Sequence, residues 1–464
     1  MHQIRTAILV LGFSSLLMGL PSVGVAQTTS EVQSMQISAQ ANALLQKGIE
    51  QINEGDYADG IADLNRAIQL NPNLAVAYLY RGVAYAATNN REQAIADFNQ
   101  AIRLDANLAE AYLRRGILLY EGGDQAAALA DFNQHLQLNP NSATGHLYRG
   151  MVYADQDNLA GAMSEFDRAL QLQANYPEAL VHRGAAHARM SNHDQAIRDF
   201  SQAIALRSNY AEAYLNRGAS EFALGNSAAA LRDFDRTLRL NSQQPTAYYN
   251  RGAVFFTVGD REAAFDDFSR AVELDPNYSQ AYISRSLVWF EVGNTPNAMA
   301  DLERAIALNA QDPTPYKVRG DMRMRLDDFA GAIADYTQAV TLSPDYAAAF
   351  TARASARVAQ GDSLGADADF SRAISLNPRD SVAFAKRAQV RSSLGNLEGA
   401  FSDYSQAIQL NPQDADSFYR RGVVRKSMGD RTGALDDLRR AEVLYRQQSN
   451  AQGYRNVLRT LDQF

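Results

Sequence analysis

The sequence of 464 residues contains no cysteine and a single tryptophan. Without cysteine, the chain can form no disulfide, carry no lipid on an N-terminal cysteine and bind no metal through thiolates. Basic residues are also in deficit, because 44 Lys and Arg stand against 52 Asp and Glu, a formal net charge of −8. A general affinity for phosphate backbones needs clustered Lys and Arg, so this balance argues against a nucleic-acid partner.

Long apolar runs are lacking except for one near the N-terminus. It extends from Ala7 to Leu20, which is too short to span a bilayer. Arg5 precedes this run, and the small residues Gly24 and Ala26 follow it, as in an export signal. We expect residues 1–26 to be a signal peptide cleaved after Ala26, with an uncleaved anchor as the alternative. The mature protein would then be periplasmic or secreted and would not span the membrane.

A period of 34 residues runs through the chain without insertion or deletion. Small residues recur at two positions of this period, twelve residues apart. Small side chains let two antiparallel helices approach closely, so the two series predict where paired helices cross. The first series is Gly48, Gly82, Gly116, Gly150, Gly184, Gly218, Gly252, Ser286, Gly320, Ala354, Ala388 and Gly422. The second is Gly60, Ala94, Ala128, Ala162, Ala196, Ala230, Ala264, Ala298, Ala332, Ala366, Ala400 and Ala434.

Two further series fit a repeating helix pair. A large apolar residue follows the second small residue by four positions, as at Leu64, Phe98 and Phe132, and is predicted to fill the core. Between the two small positions, Gly, Asn, Asp or Ser recurs, as at Gly55 and Asn89. Glycine, Asn and Asp tolerate the left-handed conformation that ends a helix. The pattern therefore predicts a turn at this position in every repeat.

Together these offsets resemble the tetratricopeptide repeat, in particular its bacterial variety reading Tyr-x-x-Arg-Gly and Ala-Ile-x-Asp-Phe, as in residues 78–82 and 94–98. The resemblance covers residues 41–448, which is twelve repeats, the first beginning at Ala41. It implies an all-α fold, a right-handed superhelical solenoid of helix-turn-helix repeats. We expect residues 27–40 to be a flexible lead and residues 449–464 to form a capping helix.

Charged residues recur with the same period and raise the question of catalysis. An Arg precedes the first small residue in eleven repeats, and an Asp or Glu stands sixteen residues after it, as in Arg217 and Asp233. A unique active site does not recur at every step of a scaffold. We therefore interpret these residues as a ladder of structural ion pairs that link helices or neighbouring repeats.

The histidines after His2 all lie between His135 and His193, which suggests a metal site. Their positions in the repeat differ, so their side chains are expected to face in different directions, and no His-Glu-x-x-His spacing is present. Nucleophile elbows and phosphate-binding glycine loops are absent from the sequence as well. We expect no catalytic residues, no metal, no cofactor and no enzymatic activity.

In tetratricopeptide proteins, partners bind the concave surface that the first helices line. Some first-helix residues belong to none of the series assigned to packing, and these change from apolar to basic along the chain. The apolar ones lie at helical spacing, so they are also compatible with a place in the core. The predicted partner-binding residues are Leu79, Tyr80, Leu113, Tyr120, Leu147, Tyr148, Met151, Phe222, Tyr249, Phe256, Phe290, Lys317, Arg325, Lys386, Arg420 and Lys426.

The resemblance and this surface predict a non-catalytic protein–protein interaction scaffold. Its partner would be a protein or peptide segment, with an apolar part toward repeats three to eight and an acidic part toward repeats nine to twelve. A role in envelope assembly or trafficking would follow from export. The alternative is a structural array that associates with itself.

Overall fold

The computed structural model describes residues 29–464, and every helix or strand assigned in that part is an α-helix. The all-α fold is therefore confirmed, whereas the signal peptide predicted over residues 1–26 lies outside the described residues. The helix bounds are α1 Thr29–Glu54, α2 Tyr57–Leu70, α3 Ala75–Ala87, α4 Arg91–Leu104, α5 Ala109–Glu121, α6 Gln125–Leu138, α7 Ala143–Asp155, α8 Leu159–Leu172, α9 Pro177–Arg189, α10 His193–Leu206, α11 Ala211–Ala223, α12 Ser227–Leu240, α13 Pro245–Val258, α14 Arg261–Leu274, α15 Ser279–Glu291, α16 Thr295–Leu308, α17 Pro313–Arg325, α18 Phe329–Leu342, α19 Ala347–Gln360, α20 Ser363–Leu376, α21 Ser381–Ser393, α22 Leu397–Leu410, α23 Ala415–Ser427, α24 Arg431–Gln447 and α25 Ala451–Leu461.

The helices form pairs, because each odd-numbered helix from α1 to α23 packs against the even-numbered helix that follows it. We call these the first and second helix of a repeat. The turn between them contains one residue with positive φ in all twelve repeats, at the position that the period predicts. Eight of these residues are glycines, and Asn89, Asp157, Ser191 and Asp327 take the others with φ of 58 to 61°. The prediction of twelve helix-turn-helix repeats is confirmed.

The core of a repeat depends on the small residue of its first helix. A Cβ atom added to Gly82 would lie 2.7 Å from Cε1 of Phe98 and 3.2 Å from the carbonyl oxygen of Ala94. Phe98 and Ala94 are fully buried. The aromatic ring of the second helix thus lies directly against the backbone of the first, and a larger residue at Gly82 would push the two helices apart.

Second helices begin at polar caps. In repeat four, Asn158 Oδ1 accepts a hydrogen bond of 3.0 Å from the Gly161 amide, and Asp260 does the same for Ala263 at 3.1 Å in repeat seven. Such caps satisfy amides that have no partner inside the helix. Together with the positive-φ residue, such a cap fixes where most second helices start, whereas α2, α4 and α10 begin without a side-chain cap.

The described residues divide into two compact units, with the boundary between Leu240 and Asn241. The first unit holds α1–α12, and its first helices contact one another in sequence from α1 to α11. The second unit holds α13–α25, and its first helices contact one another from α13 to α19 and again between α21 and α23. In each unit the neighbouring first helices share one side, which we call the first-helix face.

The N-terminal segment differs from the sequence-based expectation. Residues 29–40, predicted as part of a flexible lead, are the first turns of α1, and residues 33–40 are exposed. The segment contains no glycine or proline, and the fully buried Ala41 anchors the helix directly after it. A helix that is already nucleated extends at little cost through such residues.

The last helix, α25, packs against α24 as the predicted cap. Val457 is fully buried, and Tyr454, Leu461 and Phe464 pack around the same cluster. Leu458, which the helical spacing places on the same apolar face, is 37% exposed instead. The buried side of α25 therefore includes fewer residues than the apolar face that its sequence pattern predicts.

Candidate functional site

The recurring Arg and Asp residues form an arginine ladder, defined as the Arg before the first small residue in repeats two to twelve with its acceptors on second helices. Arg81 Nε and Nη2 each lie 2.7 Å from the Asp97 carboxylate of the same repeat, and Nη1 lies 2.6 Å from Asn65 Oδ1 of the preceding repeat. The hydrogen bond to Asp97 raises the Arg81 pKa above its ordinary value. Arg81 thus joins its own helix pair and ties that pair to its neighbour, and Arg115 and Arg183 do the same in their repeats.

The carboxylates of the ladder are buried, with Asp97 5% exposed and Asp233 6% exposed. The same bidentate pairing recurs at Arg115 with Asp131, Arg217 with Asp233 and Arg387 with Asp403. These carboxylates are fully engaged, so they are not free for acid–base work. The structural interpretation of the ladder is confirmed.

Repeats nine to twelve carry a second arginine on this carboxylate that sequence reasoning missed. Arg323 Nη1 lies 2.8 Å from Asp335, and Arg391 Nη1 lies 3.0 Å from Asp403. Arg357 and Arg425 occupy the equivalent positions. Their spacing of 34 residues was the available signal. These residues add charge to the packed interior of the repeats rather than to a binding surface.

Three of the predicted partner-binding residues are corrected by the structure. Leu79 and Leu113 are 5% exposed and Leu147 is 4% exposed, so they present almost no surface to a partner. Leu79 packs with Phe98 of its own repeat and with Ala111 of the next first helix. Its position in the repeat is therefore a joint between repeats, where an apolar residue belongs to the core.

The other predicted residues of the first unit are half-buried. Tyr80, Tyr120, Tyr148, Met151 and Phe222 all keep part of their surface accessible. The Tyr148 ring stacks on Phe132 with 5.7 Å between centroids and meets Tyr120 edge to face at 6.4 Å. Rings held in this way lose little further freedom on binding, which suits them as anchors.

Burial raises the pKa of Tyr148 to about 12, with smaller contributions from Tyr176 and Glu121. The hydroxyl therefore stays protonated at neutral pH. The Tyr120 hydroxyl donates to Asp155 at 2.7 Å, and burial is also the main reason that its pKa is raised. Both tyrosines act as neutral aromatic surfaces with a polar tip.

Acidic side chains surround this aromatic strip, and sequence reasoning did not identify them. His182 stacks on Phe166 with 6.0 Å between centroids, in the electrostatic field of Glu212, Asp155 and Glu178. Burial lowers the His182 pKa despite these carboxylates, which favour the charged ring. The signal was present, since Glu178 and Glu212 are one period apart on first helices.

The second unit begins with another aromatic strip. Tyr249 lies 5.9 Å from Phe268 and 5.1 Å from Tyr278 between ring centroids, and it is half-buried. Phe256 and Phe290 are half-buried as well, and each lies beneath an arginine, Arg261 at 4.0 Å and Arg325 at 5.5 Å. Here the accessible apolar surface is shared with cations.

The five predicted cations of this unit are not equivalent. Lys317 pairs with Asp321 at 2.6 Å, so its charge is neutralised within the repeat. Arg325 stacks on Phe290, and Lys426 Nζ lies 4.5 Å from the Phe464 ring centroid. Lys386 and Arg420 are exposed, and within the described residues no ion pair involves either of them.

Two adjoining clefts lie beside Lys386 and Arg420, between α21 and α23. Their volumes are about 330 and 200 Å³. The larger is lined by Gln389, Ser392, Ser393, Tyr404, Tyr419, Arg420 and Val423. The smaller is lined by Val382, Ala385, Lys386, Gln389, Tyr404, Asp414, Asp416, Ser417 and Arg420. The structure thus places two of the predicted cations, Lys386 and Arg420, in the same pair of clefts.

The histidines do not converge on one point. His135 is 1% exposed, with Nδ1 2.8 Å from the Ala109 carbonyl oxygen, and His146 Nδ1 lies 2.7 Å from Glu165. Among the described residues, no three His, Asp or Glu side chains are grouped as metal ligands. The part of the chain that the structure describes also holds no helix long and apolar enough to cross a membrane.

Comparison with known proteins gives a consistent result at the level of the repeat. A family model described as tetratricopeptide repeat matches residues 45–109, 81–143, 113–179, 183–245 and 317–381, more than half of the chain. A second model with that description matches residues 245–278, and one described as TPR repeat matches residues 388–429. No curated protein sequence matches the chain.

Several solved structures match the chain at low identity and with TM-scores below 0.5. Yeast Tom70 is 17% identical, with 91% of this chain and 99% of that chain covered and a TM-score of 0.46. Cut9–Hcn1, described as an APC/C hetero-tetramer, is 14% identical, with coverage of 93% and 99% and a TM-score of 0.47. YrrB, described as a TPR protein with an unusual peptide-binding site, is 23% identical, with coverage of 40% and 95% and a TM-score of 0.34.

Proposed function

Because the chain belongs to the tetratricopeptide repeat family, we propose that it is a non-catalytic scaffold that binds a peptide or protein segment on its first-helix face. The observation that carries this proposal is the strip of half-buried aromatic rings on neighbouring first helices, with Tyr120 and Tyr148 in the first unit and Tyr249 in the second. Fixed, partly exposed aromatic rings are typical of binding anchors.

The polar surroundings of the strips define the partner further. In the first unit, Asp155, Glu178 and Glu212 favour a segment that carries no acidic residues where it crosses α7 to α11. In the second unit, the exposed Lys386 and Arg420 favour an acidic part. An apolar segment with a separate acidic part satisfies both surfaces.

Replacement of both Tyr148 and Tyr249 by Ala tests the scaffold function. A photo-crosslinking residue in place of Met151 would capture the partner in intact cells, and mass spectrometry would identify it. Loss of two anchors should reduce capture at least tenfold, since each truncation at a binding hot spot costs about 2 kcal/mol.

Leu364→Ala is the matched control, because Leu364 is 75% exposed on a second helix, away from the first-helix face. It should leave capture unchanged, and all variants should melt within a few degrees of the wild type. Equal capture by the double variant and the wild type would rule out the aromatic strips as the binding surface.

Self-association is the second candidate, and a row of exposed apolar residues favours it. These residues lie where first helices of the second unit end, and they are Val258, Val292, Leu326, Leu394 and Met428, exposed by 44 to 61%. Exposed apolar rows of this kind mark association surfaces. Light scattering should then give a mass above one chain for the wild type and a monomer for Val292→Asp. A monomeric wild type would exclude this candidate.

We also propose that the chain is exported to the periplasm or secreted, and that the segment over residues 1–26 directs this step. The apolar run from Ala7 to Leu20 and the small residues Gly24 and Ala26 support this proposal. Mass spectrometry of the exported protein should find Gln27 at its N-terminus. An intact Met1 would instead indicate a retained anchor.

A further inference from the structure

The larger cleft between α21 and α23 combines one cation with neutral polar groups. Arg420 is its only charged lining residue, and Gln389, Ser392 and Ser393 contribute an amide and two hydroxyls. Tyr419 and Val423 supply the apolar part of the wall. An exposed guanidinium beside several hydrogen-bonding groups is suited to a planar, singly charged acceptor such as a carboxylate.

Repeat nine shows what occupies the equivalent place when the site is filled from within the chain. There the Tyr336 hydroxyl donates to Asp321 at 2.9 Å, and Lys317 pairs with the same carboxylate at 2.6 Å. Tyr336 and Tyr404 are two periods apart, and both replace the phenylalanine found at this position in most repeats. The tyrosine hydroxyl at this position therefore has an internal carboxylate as its partner in repeat nine.

Repeat eleven lacks that carboxylate. The residue two periods after Asp321 is Gln389, and it lines both clefts together with Tyr404. The Tyr404 ring is 1% exposed, and Arg420 adjoins its hydroxyl. Burial raises the pKa of Tyr404 to about 12, so the hydroxyl keeps its proton. The Tyr404 hydroxyl and the Arg420 guanidinium thus lie at a place without a carboxylate acceptor, whereas Asp321 supplies one in repeat nine.

The carboxylates nearby are already engaged and do not replace the missing one. Asp414 caps α23 by accepting from the Ser417 amide at 3.3 Å, and it also accepts from the Ser417 hydroxyl. Asp416 accepts from the Tyr445 hydroxyl. Lys386 donates only to a neutral group, Ser355 Oγ at 3.1 Å, among the described residues. Among the described residues, Lys386 and Arg420 therefore form no ion pair with the carboxylates nearby.

We propose that the cleft between α21 and α23 binds one carboxylate of an Asp or Glu side chain in the partner segment, held by Arg420 and the Tyr404 hydroxyl. The carboxylate takes the place that Asp321 occupies in repeat nine. This proposal rests on the proposed function and assigns the acidic part of the partner to one site. Lys317, Arg325 and Lys426 are engaged within the chain and contribute little to it.

A phosphate group is less suited to this site. Two cations and two carboxylates line the smaller cleft, so its formal charge is zero. A dianion in the larger cleft would gain from Arg420 but would be repelled by Asp414 and Asp416. A single carboxylate halves both the attraction and the repulsion, and its two coplanar oxygens match the one guanidinium of the larger cleft, whereas a dianion needs a second cation to balance its charge.

Selection from a random dodecapeptide library tests the assignment, with each peptide fused to its display protein through the C-terminus so that no terminal carboxylate is free. The full chain should select peptides with an Asp or Glu at a fixed place. Changing that Glu to Gln in a selected peptide should weaken binding to the wild type by about tenfold at low salt. Fluorescence anisotropy of the labelled peptide measures this change.

Two protein variants locate the carboxylate. With Arg420→Gln, the Glu-to-Gln change in the peptide should alter the Kd by less than twofold. Gln389→Asp gives repeat eleven a carboxylate at the position of Asp321 in repeat nine. This variant keeps Arg420, but it should lose the preference for acidic peptides. Arg440→Gln, an exposed arginine on α24, is the matched control and should behave as the wild type.

The outcomes separate this site from the proposed function. Peptides selected without an acidic preference, or a Glu-to-Gln penalty that is equal in Arg420→Gln and wild type, would overturn the site and leave the scaffold intact. Tighter binding of a phosphoserine peptide than of its Glu counterpart would overturn the assignment to a single carboxylate. Failure to select any peptide would contradict the scaffold function and the site together.

Discussion

At the scale of single residues, the charged side chains that recur in every repeat have a structural role and not a catalytic one. Asp233 is typical, because its carboxylate accepts two hydrogen bonds of 2.8 Å from Arg217 and is almost fully buried. Such a carboxylate has little contact with water, so its arginine partner supplies most of its stabilisation. Removal of this charge should therefore cost more stability than removal of one partner of an exposed ion pair.

Asp233→Asn tests this contribution. The amide keeps the shape of the carboxylate but has one acceptor instead of two, and it places an N–H group against the Arg217 guanidinium. We expect a loss of about 2 to 3 kcal/mol, measured as a lower urea midpoint and melting temperature. Asp266→Asn, an exposed residue within α14, should leave both unchanged. An unchanged midpoint in Asp233→Asn would contradict a buried ladder.

His182 predicts a dependence of stability on pH. Its pKa is lowered from 6.5 by burial, so the folded chain binds the proton less well than the unfolded chain. The neutral ring therefore stabilises the fold above about pH 6.5, and this stabilisation is lost as the pH falls below that value. Asp155, Glu178 and Glu212 face the ring and reduce the effect without reversing it.

His182→Gln removes the titrating group while leaving those carboxylates in place. Between pH 7.5 and pH 5.5, the urea midpoint of the wild type should fall further than that of the variant. Parallel changes in the two proteins would show that the ring titrates normally.

At the scale of the helices, most of the fold is readable from the period. All twelve turn positions with positive φ follow from residue type and spacing, including the non-glycine residues Asn89 and Ser191. The burial of Leu79 is different, because an apolar stripe on a first helix fits both a core and a groove. Leu79 is buried because it contacts Ala111 of the next repeat. The residue pattern within one repeat does not predict a contact between repeats.

The candidate site shows the same division. The pairing of Lys317 with Asp321 is visible in the sequence at i and i+4. The stacking of Arg325 on Phe290 joins neighbouring repeats, so it requires the packing of one first helix on the next. The position of Arg420 beside a cleft depends on how α21, α22 and α23 pack together, so it is not visible in the sequence of one repeat.

The terminal helix α25 offers a prediction about its narrow buried side. Val457→Asp places a carboxylate in the cluster around Leu438, Ala441 and Leu444, at a cost of several kcal/mol. We expect α25 to detach, so that hydrogen exchange across residues 451–461 accelerates while α13 to α22 stay protected.

Leu458→Asp is the matched control, since the Leu458 side chain, next to Val457 in the sequence, is already 37% exposed. It should leave exchange slow over residues 451–461. If both substitutions release the helix equally, the buried side is as wide as the sequence pattern suggests.

At the scale of the whole chain, the array should tolerate changes in units of one period. Deletion of residues 347–380 removes repeat ten and brings Arg387 to Thr337, which serves Arg353 as an acceptor at 3.2 Å in the intact chain. We expect this variant to fold cooperatively with an m-value in urea lower by about one twelfth.

Deletion of residues 347–363 removes about half a repeat and is the contrasting variant. It places second helices where first helices belong, so the small residues no longer meet. This variant should aggregate or lose its helical signal by circular dichroism. Equal folding of the two deletions would mean that the period does not govern packing.

The arginine ladder has a consequence for how such a chain lengthens. Repeat two carries both the donor for the joint behind it, Arg81, and the acceptor for the joint ahead of it, Asn99. A duplicated gene segment of one period therefore encodes both the arginine donor and the acceptor that join neighbouring repeats. This holds wherever in the repeat the segment begins and ends. Growth by copying then requires no compensating mutation, whereas the surface residues of each new copy are free to diverge.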